Sequence, residues 1–131
     1  MHKPFLLIGG ISGAMAVILG AFGAHSLKKL LTPEALSAFE TGVRYQFYHT
    51  FALLFIALLY ERFPNKWIAR AGYFFITGIV LFSGSLYLLT TFNATHSVGL
   101  TGIGILTPIG GLFFIAGWIF MIIGATATRR V

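Results

Sequence analysis

Residues 5–24 read FLLIGGISGAMAVILGAFGA, an unbroken apolar run without one charged side chain. A bilayer core of about 30 Å is crossed by about 20 residues of helix, and this run has that length. Within it Gly9 and Gly13 form a GxxxG pair, and Ala16, Gly20 and Ala24 continue at four-residue spacing on a neighbouring face. Small residues so placed let a second helix approach closely. Lys3 ahead of the run and Ala21-Phe22-Gly23 near its end also resemble a signal peptide with a small-residue cleavage site. A cleaved signal has no use for a packing stripe, so a retained membrane span is expected.

Working outward, three further apolar runs follow, at 45–60, 68–91 and 103–126. The run at 45–60 is short, and its helix is expected to take a turn from the residues before it. Between the second and third lies Glu61-Arg62-Phe63-Pro64-Asn65-Lys66-Trp67, where Pro64 stops one helix and Trp67 marks a membrane interface. Residues 92–102 carry no charge but hold Asn93, Thr95 and His96, which suits a short loop on the bilayer surface. The first connection is longer. Thr32-Pro33-Glu34 offers an N-cap, a proline at the first helical position and an acid in the first turn. Leu36, Phe39 and Val43 then recur at helical spacing opposite Ser37, Glu40 and Thr41. A short amphipathic helix at 33–43, bending at Gly42 into the second span, is therefore expected. The fold class is all-α: an integral membrane four-helix bundle forming one domain over 1–131.

Composition supports a lipid solvent. Of the 131 residues, 57% are hydrophobic and 9% charged, against roughly 25% charged in a soluble domain, so a water-facing surface could not be covered. The absence of cysteine excludes disulfides, thiolate zinc sites, iron–sulfur clusters and thiol catalysis. A net charge of +6 could suggest nucleic acid, but the basic residues are scattered at helix ends rather than grouped on one face. Orientation explains them better, and no nucleic-acid partner is expected. With the N-terminus inside, Lys3, Arg62, Lys66, Arg70, Arg129 and Arg130 lie on the cytoplasmic side, against Lys28, Lys29 and Arg44 outside. Both termini are expected in the cytoplasm, with the chain in the plasma membrane.

On that topology the polar side chains gather toward the outer leaflet. His25 ends the first span, Arg44, Gln46 and His49 begin the second, and Ser83, Ser85, Tyr87 and Thr90 lie in the outer half of the third. Gln46 and His49 share a helix face, as do Ser83, Tyr87 and Thr90. If those faces meet, His25, Arg44, Gln46, His49, Ser83, Ser85 and Tyr87 line one polar pocket, and polar residues in a span default to a functional hypothesis. The plainer alternative is that Ser, Thr and Gln bond neighbouring helices while His25 and Arg44 sit among lipid head groups. In the last span Gly110, Gly117 and Gly124 recur every seven residues, the spacing of a close-packed left-handed seam.

Several chemistries are disfavoured. Proton-coupled carriers use an intramembrane carboxylate, whereas Glu34, Glu40 and Glu61 fall in connections or at helix ends. His25, His49 and His96 stand at long spacings with no HExxH, so neither zinc nor haem held by His25 and His49 is called for, and no cofactor is expected. No Ser-His-acid arrangement, P-loop or dinucleotide fingerprint is present.

Four ordered motifs carry a resemblance. They are Gly20-Ala21-Phe22-Gly23-Ala24-His25, then Phe39-Glu40-Thr41-Gly42-Val43-Arg44-Tyr45-Gln46 with His49, then Phe82-Ser83-Gly84-Ser85-Leu86-Tyr87, then Thr107-Pro108-Ile109-Gly110-Gly111 with Gly117-Trp118. Together they resemble the YgdD/YwdK-like family of small inner-membrane proteins, over almost the whole chain. The resemblance implies an integral membrane protein of unassigned function, similar to a small eukaryotic transmembrane protein, and supplies no reaction. The reading favoured is a non-enzymatic binding or accessory module, with the bilayer around it and a homo-oligomer or membrane protein as partner. The alternative is a membrane enzyme or a cofactor- or lipid-binding protein using the outer pocket.

Overall fold

A computed structural model describes residues 1–94 and 103–127, and every described element is helical. Helix α1 spans Lys3–His25 and is followed by a 3-10 turn at Leu27–Lys29; α2 spans Pro33–Arg62. Helix α3 (Lys66–Gly78) runs through a π-helical turn at Ile79–Ser83 into α4 (Gly84–Ala94), so the three stretches make one rod. After a 3-10 turn at Ile103–Ile105 comes α5, Leu106–Thr126. The stretch expected as a surface loop, with Thr95 and His96, lies largely outside the described residues, as do Arg129 and Arg130.

Each of the first three rods begins on a side-chain cap. His2 Nδ1 accepts the Phe5 amide at 3.3 Å, Thr32 Oγ1 accepts that of Ala35 at 3.2 Å, and Asn65 Oδ1 accepts those of Trp67 and Ile68 at 3.0 and 3.1 Å. These oxygens and nitrogen take up amides that a helix start leaves unpaired. Thr32-Pro33-Glu34 thus starts α2 where its residue types indicate.

The segment at 33–43 is not a separate amphipathic helix. It forms the first turns of α2, which continues unbroken for 30 residues, about 45 Å. Gly42 does not bend the chain; it makes room. A Cβ at Gly42 would lie 2.9 Å from Tyr87 Cε1, and the Gly42 carbonyl accepts a bond from Ser83 Oγ at 2.6 Å. The glycine lets α4 approach α2, which removes the reason to bend there.

Three helical stretches, Lys3–Lys29, Lys66–Phe92 and Ile103–Thr126, are long and apolar enough to cross a membrane. Helix α2 is not among them. Its position accounts for this. Helices α1 and α2 pack as one pair and α3 and α5 as another, and α2 touches all the other rods. The central helix turns Gln46, His49 and Thr50 toward its neighbours, where all three are buried.

The core concentrates around Phe5, Leu53, Ile56, Ile68, Ala71, Phe75 and Phe114. Its tightest joint is the seam between α3 and α5. Ile68, Phe75 and Phe82 recur every seven residues on one rod and meet Gly124, Gly117 and Gly110 on the other, in antiparallel order. A Cβ on Gly117 would come 2.7 Å from Phe75, and one on Gly124 would come 2.6 Å from Ile68. Phe5 of α1 closes over Gly72 of α3, and Phe114 of α5 over Gly78. Large rings laid on bare backbone give the close contact that membrane helices need, since lipid supplies no hydrophobic drive toward association.

Candidate functional site

The polar side chains in the half of the bundle away from the amino terminus are held by all four rods and divide into distinct junctions. The first is built around Gln46. Its Nε2 donates to the Ser12 carbonyl at 2.9 Å and lies 3.5 Å from Ser12 Oγ, while its Oε1 accepts from the Tyr87 hydroxyl at 2.6 Å. Ser12 and Thr50 share a hydrogen bond at 2.7 Å. One amide thereby ties α1, α2 and α4 together. Side chains on a helix lean toward its N-terminus, which is how Tyr87 reaches past Gly42 to Gln46.

A second junction joins α2 to the π-helical turn, where Ser83 donates to the Gly42 carbonyl. The wide turn breaks the regular register, a feature frequent at functional sites, and here it sets Ser83 facing α2 and Ser85 facing α5. Ser85 bonds Thr107 at 2.6 Å and its own helix at the Phe82 carbonyl, 2.8 Å.

The third junction holds His49. Nδ1 lies 2.7 Å from the Tyr45 carbonyl, which can only accept, so this nitrogen carries the proton. Nε2 accepts the Trp118 indole N–H at 3.2 Å. The ring lies flat on Phe114, with centroids 3.4 Å apart and planes 5° from parallel. Both nitrogens of a neutral imidazole are thus occupied, and one face is covered.

His25 and Arg44 stand apart from these three. His25 is exposed, and its Nδ1 bonds the Ala21 carbonyl of its own helix at 2.9 Å. Arg44 is exposed beside a shallow hollow of about 260 Å³ that Glu40, Phe39 and Gly23 also line. The seven residues expected to line one pocket are therefore distributed. Gln46 and Tyr87 meet, Ser83 lies a turn from Tyr87, Ser85 and His49 face α5, and His25 and Arg44 bond to none of them among the described contacts. Ser12, Thr50 and Trp118 are partners that the sequence did not single out. Thr50 was accessible from it, being four residues after Gln46 and so on the same face.

Two grooves open on the sides of the bundle. One, of about 360 Å³, lies between α1 and the α3–α4 rod; Ile8, Ile11, Met15, Ile76, Ile79 and Val80 form its walls, and Ser12, Gln46 and Tyr87 its floor. The other, of about 550 Å³, lies between α2 and α5 and is lined by Tyr45, Tyr48, His49, Phe82, Phe114 and Trp118. Neither presents an unsatisfied group: among the described residues no buried side-chain nitrogen or oxygen lacks a partner. Nor do three of His, Cys, Asp and Glu come together as metal ligands among them.

Span-length apolar helices, polar groups tied inward and an apolar exterior define a small helical membrane protein. The chain belongs to the DUF423 family, described as proteins of unknown function, whose pattern matches residues 19–111. It is similar to the inner membrane protein YgdD of Escherichia coli (strain K12), 40% identical over 99% of this chain and 95% of that one. It is likewise similar to the membrane protein YwdK of Bacillus subtilis (strain 168), 38% identical over 94% of this chain and 96% of the relative. A membrane protein of Haemophilus influenzae is 41% identical over the full length of both. No solved structure matches the chain.

Proposed function

We propose that this membrane protein works by binding, as a four-helix accessory module that docks a membrane-embedded protein partner, a second copy of itself included. One observation carries the reading. The polar side chains inside the bundle spend their hydrogen bonds on each other and on backbone, and His49, which is buried, has both ring nitrogens engaged. A general base needs a free nitrogen within reach of its substrate, and a partner-binding surface does not. The apolar groove between α1 and the α3–α4 rod supplies such a surface.

On this reading α2 crosses the bilayer with the other three rods, because its 30 residues exceed the required length and its polar face is covered by its neighbours. Both termini then lie on the side with more basic residues, Lys3, Arg62, Lys66 and Arg70 among them.

Native mass spectrometry after extraction in mild detergent tests the proposal. A homo-oligomer, or a stoichiometric complex with another membrane protein, is the expected result, unchanged in a His25→Ala, His49→Ala double variant that remains folded. A strict monomer with no co-purifying protein would overturn it.

A further inference from the structure

We propose that the end of the bundle carrying the amino terminus holds an anionic phospholipid, with the phosphate between Lys66 and Arg70 and the tail along an aromatic track on α3 and α5. Lys66 and Arg70 stand one helical turn apart and both are exposed. They share one indole: Lys66 Nζ is 5.5 Å, and the Arg70 guanidinium carbon 4.9 Å, from the centre of the Trp67 ring. Like charges four residues apart repel each other, and the pair also sits at the end of a helix where its dipole disfavours cations.

Among the described residues no carboxylate pairs with them. Of the three acids in the chain, Glu34 and Glu40 lie in the early turns of α2, at the opposite end of the bundle. Glu61 is engaged by the amino-terminal ammonium at 3.4 Å. Among the described residues, then, the pair has no complementing charge.

The platform under the cations is fixed. Asn65 caps the first turn of α3 through Oδ1 and donates from Nδ2 to the Gly124 carbonyl at 2.9 Å, locking that turn to the end of α5. From Trp67 an aromatic ladder then runs into the apolar zone. Trp67 meets Phe120 with centroids 5.5 Å apart, Phe120 meets Phe74 at 4.9 Å, and Phe74 meets Phe113 at 5.0 Å. All four rings are half-buried, so each keeps surface for another apolar body. Trp67 has the amphipathic ring typical of the head-group level. A free phosphate would use the cations and leave the ladder bare; a phospholipid uses both.

The test is native mass spectrometry of the full-length, detergent-solubilised protein given equal amounts of phosphatidylglycerol and phosphatidylethanolamine. Each basic side chain near an anionic surface contributes on the order of a fivefold preference, so with two of them bound phosphatidylglycerol should exceed phosphatidylethanolamine by roughly 25-fold. In Lys66→Gln, Arg70→Gln the excess should fall to about twofold or less. It should persist in Lys28→Gln, Lys29→Gln, which removes the same charge from the other end, and in Arg70→Lys. If the double variant loses its helical circular dichroism, the single Arg70→Gln variant is read the same way, with a loss of about fivefold. An excess that survives loss of the Lys66 and Arg70 charges overturns the proposal, and so does an equal fall in the Lys28, Lys29 control. Displacement of the lipid by millimolar inorganic phosphate would mark a site for free anions and overturn it as well. None of these readings depends on the protein partner proposed above.

Discussion

The half of the bundle nearest the amino terminus and the opposite half differ in the balance of what holds them together, packing on glycine dominating the first and interhelical side-chain hydrogen bonds the second. In the first, large apolar side chains sit on bare backbone: Phe5 on Gly72, Phe75 on Gly117 and Ile68 on Gly124, inside a core that includes Leu53 and Ile56. In the second, hydrogen bonds cross between rods: Gln46 to Ser12 and Tyr87, Ser83 to Gly42, and Ser85 to Thr107. These are the two sources of helix association left when lipid removes the hydrophobic drive. They differ in tolerance. Packing fails with a change of one methyl group, whereas a single interhelical hydrogen bond in a membrane is worth about 0.6 kcal/mol on average.

The largest effect is therefore expected from Phe75→Ala. The ring is fully buried against Gly117 and Trp118, and its removal should cost about 3 to 5 kcal/mol, read as a fall in thermal midpoint in detergent. A milder result than that of any variant of the interhelical hydrogen bonds would break the comparison. Gly117→Ala comes next, at about 1 to 3 kcal/mol, because its Cβ must displace the Phe75 ring. The two changes compete for one space, so their double variant should cost less than the sum, and a double-mutant cycle measures the difference.

Tyr87→Phe should lower stability by only about 0.6 kcal/mol, since it removes one bond to Gln46 and keeps the ring. A loss above about 2 kcal/mol would exceed what such bonds supply and would move Gln46 from accessory glue to the main clasp of the half away from the amino terminus. The smallest stability effect belongs to Gly84→Leu. A Cβ there meets nothing within 4 Å, and Gly84 lines the groove between α1 and the α3–α4 rod. Thermal stability should be unchanged within about 0.5 kcal/mol, while the oligomer or complex seen by native mass spectrometry should weaken. An intact complex would remove that groove from the binding surface.

The sequence disclosed one side of the main seam and concealed the other. Gly110, Gly117 and Gly124 announce close approach by their spacing, but Ile68, Phe75 and Phe82, spaced identically, are lost among the other apolar residues of their span. Thr32-Pro33-Glu34 marked a helix start because capping is local chemistry. Gly42 suggested a bend because the need it meets, room for Tyr87, comes from a residue far along the chain. Nothing in Ile79-Val80-Leu81-Phe82-Ser83 signals a π-helical turn, yet that turn sets which neighbour each serine faces. Gln46 and His49 are three positions apart, and that spacing still leaves about 60° between them around the helix. It is enough to send one toward α1 and α4 and the other toward α5. Which residues are polar was legible; which neighbour each would meet was not, because helix rotation is set by packing.

The placement of α2 bears on how the protein is made. On the proposed topology, this helix is the one least able to remain in lipid alone, since Gln46, His49 and Thr50 would face hydrocarbon without the covering rods. Helix α1 precedes it in the chain and supplies partners to two of the three: Ser12 to Thr50 through its hydroxyl and to Gln46 through its carbonyl. The first two helices therefore have reason to enter the bilayer as a hairpin, with α1 escorting α2 across, before α5 arrives to bring Trp118 to His49.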